Sequence, residues 1–178
     1  VAGNIEGFVY IAMNSISQGM LSFTSQNLGA KQYKRINDIL KNCILALGMI
    51  AVISNILVFL FSKSLAGLFT NSEEVVRFAR ERMFIIICPY CIFGLMDILV
   101  GGLRGFGYSF QPMIISLIGI CFTRVFYVLV LFPLPAFHGL KQLYFSYPVT
   151  WVITVSCLWV LYKKVRNTFP ATNEEGVV

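Results

Sequence analysis

The sequence predicts an all-α protein, a polytopic bundle of five membrane-spanning helices. Three observations carry that prediction. Of the 178 residues, 57% are hydrophobic and 12% charged, against roughly 25% charged in a soluble domain, which assigns the chain to a bilayer. The apolar residues fall into five runs of about 20, the length a helix needs to cross the hydrocarbon at ~1.5 Å per residue. Basic residues flank those runs and form no single patch. The net charge of +6 therefore reads as juxtamembrane anchoring, with the lipid bilayer as partner and no nucleic acid.

The chain opens on Val1, on a part-polar helix with no signal segment before it, and is expected to be part of a longer gene product. The first span runs from about Gly7 to Gln26 and is unusually polar, interrupted by Asn14, Ser15, Ser17, Gln18, Ser22, Thr24 and Ser25. Such a helix must face neighbours or a wet cavity rather than lipid all round. Asn14 and Gln18 lie one turn apart on one face, where they line a cavity or join helices. Gly3 and Gly7 offer a four-residue spacing for close helix contact. Gly29 is placed to end the helix, and the basic turn holding Lys31, Lys34 and Arg35 leads to a strongly apolar second span, about Ile39 to Phe61.

Ser62 to Arg82 is the longest polar connection. Thr70 or Asn71 is a plausible N-cap for a short interfacial helix, with Glu73 and Arg77 one turn apart. The third span, Met83 to Leu103, contains one carboxylate, Asp97, and a kink is expected at Pro89. Pro112, suited to a helix first turn, opens the fourth span, which runs to about Phe132 and holds Arg124 near its middle. The fifth span, about Tyr144 to Tyr162, closes on Lys163, Lys164 and Arg166, so residues 1–166 form the membrane unit. Residues 167–178 read as a disordered tail. Five spans put the two ends on opposite sides. Eight basic residues then share the face of that closing cluster (Lys31, Lys34, Arg35, Lys41, Arg104, Lys163, Lys164 and Arg166), against five on the other. The richer face is read as cytoplasmic.

Two features invite chemistry. Cys88-Pro-Tyr-Cys91 matches the active-site tetrapeptide of glutaredoxins, but it lies at lipid depth with no strand near it. All five cysteines sit in apolar runs, so they read as packing residues, with a membrane thiol oxidoreductase as the weaker alternative. Asp97 is the sharper candidate, because an acid inside a span is costly by at least ~2.5 kcal/mol and is functional by default. It is a proton or cation site, a counter-ion for a cationic substrate, or half of a structural pair with Arg104 or Arg124. Arg124 reads as satisfying helix ends or carboxylates in the bundle. One histidine in a loop, His138, makes neither a metal site nor a catalytic base, so no enzyme activity, metal or cofactor is expected.

Three stretches, in order, carry a family resemblance. Ser25-Gln26-Asn27-Leu28-Gly29-Ala30-Lys31-Gln32-Tyr33-Lys34-Arg35, Leu68-Phe69-Thr70-Asn71-Ser72-Glu73-Glu74-Val75 and Leu103-Arg104-Gly105-Phe106-Gly107 resemble segments of the MATE (multidrug and toxic compound extrusion) transporters. The resemblance implies that the five spans are most of one six-helix lobe, the carboxy-terminal one, of a twelve-helix transporter. It further implies exchange of H⁺ or Na⁺ for small organic cations by alternating access, in partnership with the missing amino-terminal lobe. The setting it implies is the inner (plasma) membrane, with a cytoplasmic carboxy terminus. Gln26, Asn27, Gly29, Ala30, Arg35, Arg104 and Gly105 are then motif residues that set topology and lobe geometry.

In the Na⁺-coupled pattern the third-span acid falls where this chain has Phe93, one turn before Asp97. Asp97 is therefore a candidate by its own physics, with Asn14, Gln18, Tyr90 and Phe93 expected to line the cleft around it. A lipid-linked sugar flippase is the nearer alternative, and Arg124 is the one residue that suits its anionic substrate.

Overall fold

The computed structural model describes residues 2–67, 89–131 and 140–170, and every regular element within them is helical. Helix α1 spans Ala2–Gly29, α2 Tyr33–Gly67, α3 Tyr90–Gly105 and α5 Leu140–Arg166. Helix α4 is a rod of four segments: Phe110–Ser116, the π-helical Leu117–Phe122, Thr123–Phe126 and the π-helical Tyr127–Leu131. The expected interfacial helix, Cys88 and the first part of the third span lie outside the described residues. Pro89 immediately precedes α3, and its carbonyl accepts the Ile92 N–H at 2.9 Å.

Among the described residues two helices have the length and apolarity to cross a membrane, Tyr33–Leu57 and Phe110–Val130, with mean hydropathies of 1.9 and 2.2. Only 11% and 6% of their residues are buried in protein, so these are not core helices of a soluble fold. Leu45, Met49, Val52 and Ile56 of α2, and Leu117, Phe122 and Leu129 of α4, point outward. In a bilayer such side chains meet lipid tails. Pro112 falls in the first turn of α4, where its missing N–H leaves no bond unmade.

Three helices run the same way. Along α1 and α3 the contacts rise together: Met13 lies against Gly94, Ser17 against Gly101 and Thr24 against Gly105. Along α3 and α5, Phe93 meets Trp151 and Phe106 meets Tyr162, again in parallel order. The short turns after α1 and α3 make α2 and α4 run the other way. This arrangement gathers Lys31, Lys34, Arg104, Lys163 and Lys164 at one end of the bundle.

Glycines set the closeness of the α1–α3 seam. A Cβ on Gly101 would sit 2.5 Å from the Ser17 carbonyl oxygen, and one on Gly105 would sit 2.6 Å from the Thr24 Cβ. On the far side of α3, a Cβ on Gly102 would fall 2.8 Å from the Tyr162 ring. The close approach expected at Gly3 and Gly7 is not made at Gly7 among the described residues, and the surroundings of Gly3 lie outside them. The small residues that bring helices together are those of α3, with Gly119 of α4 set in the same way against Thr154 of α5.

Helices α1 and α3 end in the same hydrogen-bonded cap. After α1, Gln32 N–H donates to the Asn27 carbonyl (2.8 Å) and Lys31 N–H to that of Leu28 (3.1 Å). After α3, Tyr108 N–H donates to Leu103 (2.9 Å) and Gly107 N–H to Arg104 (2.9 Å). This double bond needs one left-handed residue. Gly107 supplies it at φ 91°, whereas after α1 it is Lys31, at φ 55°. Gly29, the expected stop, is the last helical residue and not the left-handed one.

Helix α5 starts at Leu140, earlier than the expected Tyr144, and so carries Pro148 inside it rather than near its start. At its other end the reading of the tail needs correction. Arg166 is not a solvated flanking charge but 9% exposed. Its guanidinium donates to Asn37 Oδ1 (3.0 Å) and to the carbonyls of Tyr33 (3.1 Å), Phe169 (3.2 Å) and Pro170 (3.1 Å). Phe169 stacks on Phe106 at 5.2 Å and on Tyr33 at 5.9 Å. Residues 167–170 thus fold back onto the bundle instead of beginning a disordered tail, because one aromatic ring and two carbonyls satisfy surfaces that would otherwise face water. Residues 171–178 lie outside the described part.

Candidate functional site

The site grows out of the α1–α3 seam. Because Gly101 lets the two backbones nearly touch, Ser17 Oγ reaches across and donates to the main-chain oxygen of Asp97 at 2.7 Å. That bond fixes the register of the helices. One turn earlier on α1, Asn14 turns its side chain toward the Asp97 carboxyl group. Asn14 Nδ2 also donates to the Tyr10 hydroxyl at 3.3 Å, so Tyr10, Asn14 and Asp97 form one polar group at the helix seam.

Asp97 itself is half-buried, and its Oδ2 is buried with no hydrogen-bond partner. Arg104, two turns along α3 and exposed, acts on it through its charge. Among the described residues Asp97 makes no ion pair with Arg104 or Arg124. A buried carboxylate oxygen without a donor needs a proton, a cation or a polar ligand. For Oδ2 itself the described residues supply no hydrogen-bond donor.

Aromatic rings continue the site away from the carboxylate. Tyr10 packs against Phe93 at 5.8 Å, Phe93 stacks on Tyr90 at 5.4 Å, and both meet Trp151, at 5.4 and 5.5 Å. Trp151 meets Tyr147 at 6.1 Å, and the Arg124 guanidinium carbon lies 3.8 Å from the Tyr147 ring centroid. Four helices therefore contribute to a strip with a carboxylate at one end and a guanidinium at the other.

Of the residues singled out in the sequence, the structure brings Asn14, Tyr90, Phe93 and Asp97 together. Gln18 is exposed one turn from Asn14 and does not act as glue among the described helices. Arg124 meets an aromatic face in place of a carboxylate. Gln26, Asn27, Gly29, Ala30 and Arg35 build the α1–α2 turn, and Arg104 and Gly105 end α3, all away from the carboxylate. Cys91 is a free, half-buried thiol. Sequence reasoning passed over Tyr10, Ser17, Tyr147 and Trp151. The first two share a face with Asn14 at helical spacing, and Tyr147 and Trp151 sit one turn apart. Which rings they would meet on other helices has no signal in one sequence.

The family model MatE matches residues 1–130, which hold α1, α2, α3 and nearly all of α4. The chain belongs to the MatE family. Among curated MatE-like relatives, the probable multidrug resistance protein YoeA of Bacillus subtilis is 25% identical over 160 residues, covering 88% of this chain and 34% of its own length. The FAD transporter of Shewanella oneidensis is 25% identical over 178 residues, covering 96% of this chain and 37% of the relative. Protein DETOXIFICATION 7 of Arabidopsis thaliana is 26% identical over 100 residues, covering 56% of the chain and 20% of the relative. The chain spans about a third of the length of the first two relatives. The Asp97 site lies inside the MatE match, and its aromatic wall draws Tyr147 and Trp151 from α5, beyond it.

Proposed function

We propose that the chain forms most of one lobe, the carboxy-terminal one, of a cation-coupled antiporter. The full protein exports organic cations by alternating access, with H⁺ or Na⁺ as the coupling ion, and is not an enzyme. Asp97 takes the coupling cation or the positive charge of the substrate. The observation that carries this reading is the buried, unpartnered Oδ2 of Asp97 beside an aromatic wall. An acid poised between a polar cleft and a low-dielectric bundle exchanges a proton for a cation, which is the elementary step of antiport. Aromatic faces hold organic cations through their quadrupole.

Membership of the MatE family and the transporter names of the relatives support the same reading. The protein sits in the plasma membrane, its basic end and carboxy terminus cytoplasmic, and its other lobe closes the cleft. The test is efflux of ethidium from vesicles bearing the full-length protein, with and without Asp97→Asn. Export at least about tenfold slower, with its dependence on the H⁺ or Na⁺ gradient gone, is the expected result for losing a charge-assisted contact. Wild-type export with unaltered ion dependence would sink the coupling role.

A further inference from the structure

The aromatic strip that begins beside Asp97 ends on a second charge. Arg124 lies over the Tyr147 ring with its guanidinium carbon 3.8 Å from the centroid, and its Nε is buried with no hydrogen-bond partner. Among the described residues no carboxylate pairs with it. A guanidinium within a span is costly unless its donors are met, and stacking uses its face while leaving its N–H edge unspent. Helix α4 is irregular at this point: the Thr123–Phe126 turn that carries Arg124 lies between the π-helical Leu117–Phe122 and Tyr127–Leu131. Short π-helical turns inside α-helices are found frequently at functional sites. The strip is open to a ligand, since Tyr10 is exposed and Phe93 and Tyr147 are half-buried, while Trp151 backs them from the core.

We propose that Arg124 is the anion-recognition point of this cleft, so that the molecule it takes is flat, aromatic and amphoteric. Its cationic centre lies toward Asp97, its ring against Phe93 and Tyr147, and a carboxylate or phosphate oxyanion on Arg124. This rests on the reading of the Asp97 cleft as the substrate site. A substrate carrying only positive charge is held at the Asp97 end and leaves the guanidinium edge unmet. An oxyanion matches the paired N–H edge and supplies the acceptor that Nε lacks.

The test is equilibrium binding to the full-length protein in detergent, using 6-(aminomethyl)-2-naphthoic acid, which carries its ammonium and carboxylate at opposite ends of the ring, and its carboxamide. The two probes share the ring and the ammonium and differ in the carboxylate alone. Wild type is expected to bind the acid at least about tenfold tighter than the amide, the scale of one charge-assisted hydrogen bond. Arg124→Gln is expected to remove that preference by weakening the acid and leaving the amide unchanged. Equal binding of the two probes by wild type overturns the proposal before any substitution is made. So does a parallel loss of both probes in Arg124→Gln, which would mark Arg124 as a packing residue. Asp97→Asn, measured alongside, is expected to weaken both probes alike. If it weakens neither, the Asp97 reading fails, while the acid-over-amide comparison still decides on Arg124.

Discussion

Ser17 and Asp97, eighty residues apart, are joined by a 2.7 Å hydrogen bond from a side-chain hydroxyl to a main-chain oxygen. Such a bond needs the two backbones in near contact, and Gly101 provides it by having no Cβ to place against the Ser17 carbonyl. The bond and the glycine therefore make separable contributions. Ser17→Ala is expected to lower stability by about 1 kcal/mol, the net worth of one hydrogen bond. Gly101→Val is expected to cost more, about 2–3 kcal/mol, because the whole seam must part. Thermal unfolding of the purified protein in detergent measures both. A Gly101→Val protein as stable as wild type would show that the seam is looser than drawn.

The two helix caps make a prediction of opposite signs. Lys31 holds a left-handed conformation that a side chain disfavours by about 1 kcal/mol, whereas Gly107 holds one freely. Lys31→Gly is expected to stabilise the protein by about 0.5–1 kcal/mol, and Gly107→Ala to destabilise it by about 1 kcal/mol. Comparison of melting temperatures is sufficient. Shifts of the same sign in the two variants would refute the shared-cap geometry.

These cases also mark how far the sequence could be read. Periodicity and length locate the five helices of the described residues, and two of the three family-like stretches fall on the capped turns because such turns have strict local chemistry, the one over residues 68–75 lying outside the described residues. Asn14, Phe93 and Asp97 were legible for the same reason: polar and aromatic residues in an apolar run stand out against it. What periodicity reports is which residues share a face, not which face of another helix they meet. Hence Trp151 remained hidden, although it touches both Tyr90 and Phe93. Gly94 and Gly101 looked like ordinary small residues until Met13 and Ser17 were set against them. Arg166 was misread for an electrostatic reason. Charge counting treats a terminal arginine as solvated, and cannot see that four neutral oxygens converge on it.

That convergence is a clasp, and it should behave as one unit. Arg166→Met leaves the Asn37 side chain and three carbonyls without their donor and is expected to cost about 2–4 kcal/mol. Phe169→Ala exposes Tyr33 and Phe106 and removes the stacked contacts, at about 2–3 kcal/mol. Since Arg166 holds the chain that carries Phe169, the losses should not add. The double variant is expected to fall short of the sum by at least about 1 kcal/mol. Simple additivity in that cycle would mean that the folded-back residues and Arg166 are independent.

The last prediction separates the two polar residues of α1. Asn14 faces the Asp97 carboxyl group, whereas Gln18, one turn on, is exposed. Gln18→Leu is expected to leave stability within about 0.5 kcal/mol of wild type, as surface changes do. Asn14→Leu sets an apolar side chain against a carboxylate that already has one unpartnered oxygen. Its effect should appear in function before stability, as ethidium export about tenfold slower in vesicles bearing the full-length protein. The informative control is the pair with Asp97→Asn. If Asn14 acts through that carboxylate, Asn14→Leu should slow export no further once Asp97 is changed. A second full loss on top of the first would place Asn14 in a different contact, outside the Tyr10–Asn14–Asp97 group.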